Sequence, residues 1–249
     1  PLCVRVGQLN IQNSGFKFDN YRSSTGIQTL PGVMDYDHMN VQDIELQGER
    51  LEIYIGEKPA IDAAGLPTTE DVFDIFGAIN HLTAHEQSGF TISHGEARHL
   101  ILTDTLSALY GAHIQTNGGS TLGDTLIFRY EDTPLDDPWL DQLGAFNDQV
   151  TMDIRLAKGS KLLLGDLRHF DQSVYKNEFF TSNKDLLADV SGLISGKINN
   201  KLKADKFEIR VGNSTRLRGD FDGRGLGDGD EPMILNFDFE ELLTDMNTI

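Results

Sequence analysis

Apolar residues fall at every second position over long stretches of this chain, and that pattern restricts its fold more than any other. Val150, Met152, Ile154 and Leu156 alternate with Thr151, Asp153, Arg155 and Ala157, and Phe207, Ile209 and Val211 alternate with Lys206, Glu208 and Arg210. The same reading holds for Leu235, Phe237 and Phe239 against Asn236, Asp238 and Glu240, for Leu126, Phe128 and Tyr130, and for Leu51, Ile53 and Ile55. Successive side chains of a β-strand point to opposite faces, so each segment has one dry face and one wet face. Parallel sheets, covered on both sides, read as unbroken apolar runs; one-sided strands belong to antiparallel meanders with a solvated face.

Turn signals divide the runs at fairly even spacing: Ser14-Gly15, Ser88-Gly89, Asn117-Gly118-Gly119, Lys158-Gly159, Gly212-Asn213-Ser214 and the stretch Gly223 to Gly229. Roughly ten to twelve strands are expected. Two segments depart from the pattern. Pro134 to Gly144, with Pro138 and Trp139, reads as a short helical turn; Gly165 to Glu178 reads as a helix that Asp166 caps and that turns Leu167, Phe170 and Val174 inward. Tyr21 to His38 and Glu57 to Thr69 read as loops, the second running into a helix at Glu70 to Phe76. The expected fold is all-β: one long, curled, meandering antiparallel sheet with one or two short helices, a single elongated segment over residues 1–249.

The formal net charge of -18 opposes binding to nucleic acid or to an anionic leaflet, both of which repel an acidic chain at long range. With Cys3 as the one cysteine, no internal disulfide and no cysteine-based zinc cluster can form. No uninterrupted apolar run of about 18 residues is present, and the start carries no basic and apolar signal segment. The expectation is an internal piece of a larger protein whose export signal or anchor lies outside it.

Motif searches assign no chemistry. Asp220, Asp222, Asp228 and Glu231 with Gly225 resemble an EF-hand calcium loop, but Arg224 replaces an oxygen donor and the flanks read as strands instead of helices. His81 and His85, like His94 and His99, lie close in sequence; His81-Leu-Thr-Ala-His85-Glu86 misplaces the general base that a metalloprotease helix needs, and exposed strand histidines are the plain reading. There is no Gly-x-Ser-x-Gly elbow, Walker loop or dinucleotide fingerprint. Carboxylate pairs at glycosidase spacing are not legible in sequence. No catalytic residue, metal ligand or cofactor is expected.

A series of phrases spans nearly the whole chain: Val6 to Phe16, His38 to Leu46, Glu86 to Phe90, Leu122 to Leu126, the helix following Leu164-Gly-Asp166, Val190 to Gly196, and Val211 to Phe221. In this order they resemble the AsmA-like envelope proteins, in particular the TamB-like translocation and assembly module proteins of Bacteroidota. The resemblance implies a periplasmic protein anchored in the inner membrane, whose curled sheet (a β-taco) forms an open apolar groove. It further implies phospholipid transport toward the outer membrane and outer-membrane protein assembly with a barrel partner of the Omp85 type.

The residues themselves point the same way. Exposing an acyl chain to water costs about 0.8 kcal/mol per methylene, so a chain of roughly 16 carbons needs on the order of 12 kcal/mol of cover. A dry strand face continued over many strands supplies that cover. The expected lining is Val150, Met152, Ile154, Leu156, Phe207, Ile209, Val211, Leu235, Phe237 and Phe239. The same alternation also suits a closed two-sheet sandwich. An extracellular β-rich binding module, carbohydrate-binding or adhesin-like and using calcium at Asp220 to Glu231, is the competing function; a polysaccharide-active enzyme is a third.

Overall fold

The structure, a computed structural model, describes residues 2–19, 30–35, 38–61, 65–103, 105–130, 150–170, 172–197, 200–212, 215–224 and 234–244. Six strands come first: β1 (Leu2–Asp19), β2 (His38–Ile61), β3 (Pro67–Glu86), β4 (Thr91–Leu102), β5 (Leu106–Thr116) and β6 (Thr121–Tyr130). After β7 (Val150–Leu163) come three short helices, α1 (Leu164–Leu167), α2 (Gln172–Lys176) and α3 (Glu178–Ser182). The chain ends with β8 (Leu187–Gly196), β9 (Leu202–Val211), β10 (Thr215–Arg224) and β11 (Ile234–Leu243). All eleven strands form one antiparallel sheet in sequence order; β1 and β11 are its edges, and it does not close.

The all-β meander expected from the alternation therefore forms, with three short helices among the described residues. Several local expectations are corrected. Glu70 to Phe76 lies inside β3, where Phe73 and Ile75 pair with Ile55 and Ile53 of β2; β-branched and aromatic residues suit a pleated ladder better than a helix. Most of the loop expected over Glu57 to Thr69 is strand, since β2 runs to Ile61 and β3 begins at Pro67. Ser14-Gly15 and Lys158-Gly159 are not turns but sit inside β1 and β7 at shifts of register. Glycine at positive φ, as at Gly159 (94°), serves a bulge as readily as a turn. Pro134 to Gly144, part of Tyr21 to His38 and residues 225–233 lie outside the described residues.

Each of the ten strand pairings carries at least one register shift. Many of these line up across the sheet: near Arg50 on β2, Gly77 on β3, Gly111 on β5, Asp124 on β6, Leu156 on β7, Gly192 on β8 and Gly219 on β10. Positive φ angles at Arg50 (53°), Gly111 (59°), Asp124 (111°) and Lys206 (51°) mark the same seam. A bulge bends its strand and sharpens the twist, so a row of bulges curls the sheet about one line. It also preserves the dry face. A methyl group added at Gly48 would meet the Leu51 side chain at 3.5 Å, and one at Gly77 would overlap it. Leu51 thus covers glycines on both sides of the bulge at Arg50.

The helical insert closes one end of the sheet. Asp166 does not cap a helix; it is buried inside α1 and accepts hydrogen bonds from Thr116 Oγ1 (2.5 Å) and Ser120 Oγ (2.6 Å), which clamps the β5–β6 turn. Ser120 Oγ in turn accepts from the Leu163 backbone N–H (2.9 Å). The expected inward set is only partly inward: Leu167 and Val174 are half-buried, but Phe170 is exposed while packing edge-on to Phe90 of the β3–β4 turn. His169 Nδ1 bonds the Gly32 carbonyl, and the Met34 N–H donates to the His169 carbonyl, tying in the segment before β2. Removing a buried, doubly bonded carboxylate leaves two hydroxyl protons without their acceptor. Asp166→Ala is therefore expected to lower stability by about 2–4 kcal/mol, measured by urea unfolding followed by circular dichroism, with Asp166→Asn losing less.

Candidate apolar groove

Strand pairing carries one row of side chains across the whole sheet. It runs Val4, Ile53, Ile75, Leu102, Ser107, Phe128, Met152, Gly196, Leu202, Gly223 and Leu235, each the ladder partner of the next. The neighbouring row runs Leu100, Leu109, Leu126, Ile154, Ile194, Ala204, Phe221 and Phe237. Residues directly opposite in a ladder share a face. Met152, Ile154, Leu235 and Phe237 lie in these two rows, and strand alternation adds Val150, through its partner Tyr130, to the same face. Leu156 opposes Gly192 on β8 and Asp124 on β6; Ile209 opposes Val190 and Leu217; Phe207 and Phe239 both oppose Gly219; Val211 opposes Thr215. All ten expected lining residues thus stand on one face.

Sequence reasoning missed the members contributed by β8 and β10, namely Val190, Ile194, Leu217 and Phe221. Their strands interleave glycine with the apolar positions, as in Val190-Ser-Gly192-Leu-Ile194, which weakens the alternation signal. Those glycines lie beneath large neighbours: a Cβ at Gly192 would strike the Phe207 backbone, and one at Gly219 the Asp238–Phe239 backbone.

Among the described residues no second sheet covers this face, because every described strand belongs to the one sheet. The middle of the sheet is screened by its own curl, with Met152 7% exposed, whereas Phe237 is 47% and Leu242 57% exposed near the β11 edge and Leu2 is exposed on β1. A concavity of about 330 Å³ opens over β7 to β11, lined by Leu156, Leu162, Val190, Ile194, Phe207, Phe221 and Phe237. Five adjacent strands of a flat sheet would spread over about 19 Å, so one hollow shared by β7 and β11 side chains reflects curvature. Phe237 stacks on Phe239 (5.2 Å between centroids) and packs against Phe221 (5.0 Å).

The opposite face is charged and internally paired over β9 to β11, while at β3 to β6 it carries an apolar ladder row of Phe76, Ile101, Ala108 and Ile127. Arg216 bridges Glu208 and Glu241, Arg210 also bonds Glu208, Arg218 bonds Glu240, and Lys201 and Asn236 hold Asp222. Asp220 accepts from the Lys206 N–H, so two of the acids in the calcium-like loop are engaged within the sheet. At the other edge Glu52 accepts from Tyr54 and Arg5. The Glu208 carboxyl is held below the usual range, first by its bond to Arg210 and then by Arg216, against partial burial; Asp222 is lowered first by Lys201 and then by Asn236. Among the described residues no group of three or more His, Cys, Asp or Glu is gathered closely enough, as it stands, to hold a metal ion, and no helix is long and apolar enough to cross a membrane. The chain matches no family model, no curated protein and no solved structure.

The pH dependence follows from the lowered carboxyls. A depressed folded-state pKa contributes stability that is present above the unfolded value, roughly 4, and is lost as pH falls through the folded value. Melting temperature is expected to hold from pH 7 to about 5 and to fall below about pH 4, and Glu208→Gln should flatten part of that fall in scanning calorimetry.

Proposed function

We propose that this chain is a groove segment that shields lipid acyl chains from water, and that it acts without catalysis or cofactor as part of an AsmA-like or TamB-like envelope protein. One observation carries the reading: an apolar row that is unbroken by charge, runs from β1 to β11 and, among the described residues, has no second sheet over it. At about 4.8 Å per strand the row is about 48 Å long, roughly three times the ~15 Å that an acyl chain covers in one leaflet. The row's one hydroxyl, Ser107, is within hydrogen-bond distance of Tyr130 (3.0 Å). Such a surface offers hydrocarbon contact and little else, which suits cover for a chain of methylenes. The periplasmic location, the inner-membrane anchor of the parent protein and the Omp85-type partner in outer-membrane protein assembly enter this proposal through the resemblance of the sequence phrases.

Leu193 provides a control, since its partners Arg155 and Asp205 place it on the charged face. Native mass spectrometry and organic extraction of the chain exported to a bacterial periplasm should find co-purified phospholipid. Phe237→Asp together with Ile154→Asp should remove it, while Leu193→Asp leaves it bound and circular dichroism is unchanged in all three. Lipid-free protein that takes up no fluorescent fatty acid would discard the groove and turn attention to a β-rich binding module.

A further inference from the structure

The turn between β5 and β6 reads Thr116-Asn117-Gly118-Gly119-Ser120. Thr116 and Ser120 are buried where they hold Asp166, while Asn117 and the two glycines are exposed. Gly118 packs on that clamp, since a Cβ built on it would overlap the Asp166 carboxylate. Two hydroxyls fix the carboxylate in place, so a larger residue at 118 would have to displace it, and packing requires glycine there. The same glycine leaves Asn117 open to its own backbone. Asn117-Gly118 is the one Asn-Gly pair of the chain, and a residue without a Cβ puts the least steric resistance in the way of its peptide nitrogen reaching the preceding side-chain amide. Among the described residues, the Gly118 N–H donates no hydrogen bond and the Asn117 side chain makes none. The turn is held instead by the Asn117 N–H on the Thr91 carbonyl (3.0 Å), the Gly119 N–H on the Thr116 carbonyl (3.2 Å) and the Ser120 N–H on Thr116 Oγ1 (3.0 Å).

We propose that Asn117 is a modification site that deamidates with water alone, and that its isoaspartyl product loosens the clamp under α1. The Gly118 nitrogen bonds to Asn117 Cγ, the Cγ–Nδ2 bond breaks, and ammonia leaves with the Gly118 proton. Water then opens the resulting succinimide at either carbonyl, giving aspartate or isoaspartate at 117. Aspartate adds an exposed charge that solvent and salt screen. Isoaspartate runs the main chain through Cβ and Cγ, which lengthens the turn by one carbon between the Thr91 bond and the Asp166 contact. Gly118 can then no longer keep its place on the carboxylate while Asn117 keeps its place on β4. The clamp that closes this end of the sheet is strained by that mismatch. Neither step depends on what the groove carries.

The test is to age the full chain at body temperature and mildly alkaline pH, map its peptides by mass spectrometry, and mark isoaspartate with protein isoaspartyl methyltransferase. Asn117 is expected to lose its amide first, with both products formed, while Asn13, which precedes Ser14 inside β1, stays intact over the same period. The aged chain should melt below fresh protein. Fresh Asn117→Asp should melt like the parent, and Asn117→Gln should keep its melting temperature through ageing. Asn117 that stays intact in the folded chain for as long as the urea-unfolded chain takes to deamidate there would overturn the site. Aged protein that carries isoaspartate at 117 and melts like fresh protein would overturn the loosening.

Discussion

A one-residue slip in any ladder would carry that strand's apolar side chains to the wet face, and a sheet of one layer has no second sheet to absorb the error. Register is therefore the constraint on which the groove, the charged face and the end closure all rest. Bulges maintain it. In β1 the apolar positions change from even to odd between Val6 and Leu9; in β2 they change from odd to even between Leu51 and Leu46. The two strands meet across that change through Val6 with Leu51 and Leu9 with Gly48. Each strand inverts its phase at the level where its neighbour does, so the dry face survives. Bending the sheet and keeping its sidedness are thus the work of the same residues.

Edges are where such a sheet is exposed to unwanted pairing. Leu2 and Phe16 on β1, and Ile234, Phe237 and Leu242 on β11, are exposed, a combination that would invite lateral association of identical chains. Charge opposes it. β11 carries Asp238, Glu240 and Glu241 on its other face, and arginines of β10 answer Glu240 and Glu241, but two copies meeting at this edge would still bring acids together. The strong negative charge acts as a solubility and edge-guarding term for a molecule that leaves its apolar face open. It does not enter the two ladder rows through Met152 and Ile154.

The strands and the sidedness of the sheet were legible because period-two alternation is a direct image of the pleat. Val150 to Leu156, Phe207 to Val211 and Leu235 to Phe239 could be assigned to common faces before any pairing was known. That these sets share one face, with β8 and β10 joining them, was not legible, since it depends on which residue opposes which. The bulges at Ser14-Gly15 and Lys158-Gly159 share their residues with turns, and only the continuing ladder separates the two. Glu70 to Phe76 has helix-like spacing of Phe73 and Phe76, which neighbouring strands on both sides override. Asp166 has the composition of an N-cap, yet its partners are hydroxyls some 50 residues earlier. Contacts that cross the chain leave no local trace.

The apolar rows also limit how selective the surface can be. Specific recognition needs buried polar groups that are left unpaired by the wrong ligand, whereas these rows present aliphatic and aromatic side chains, glycines and one hydroxyl already near a partner. Discrimination by methylene count is weak, because each additional CH₂ contributes only about 0.8 kcal/mol wherever it lies along a uniform strip. A chain can then shift along the row by a strand spacing and lose almost nothing. Uniformity of this kind is a poor basis for a binding site of fixed occupancy and a good one for a surface over which hydrocarbon moves, and it follows from the strand alternation with which the sequence begins.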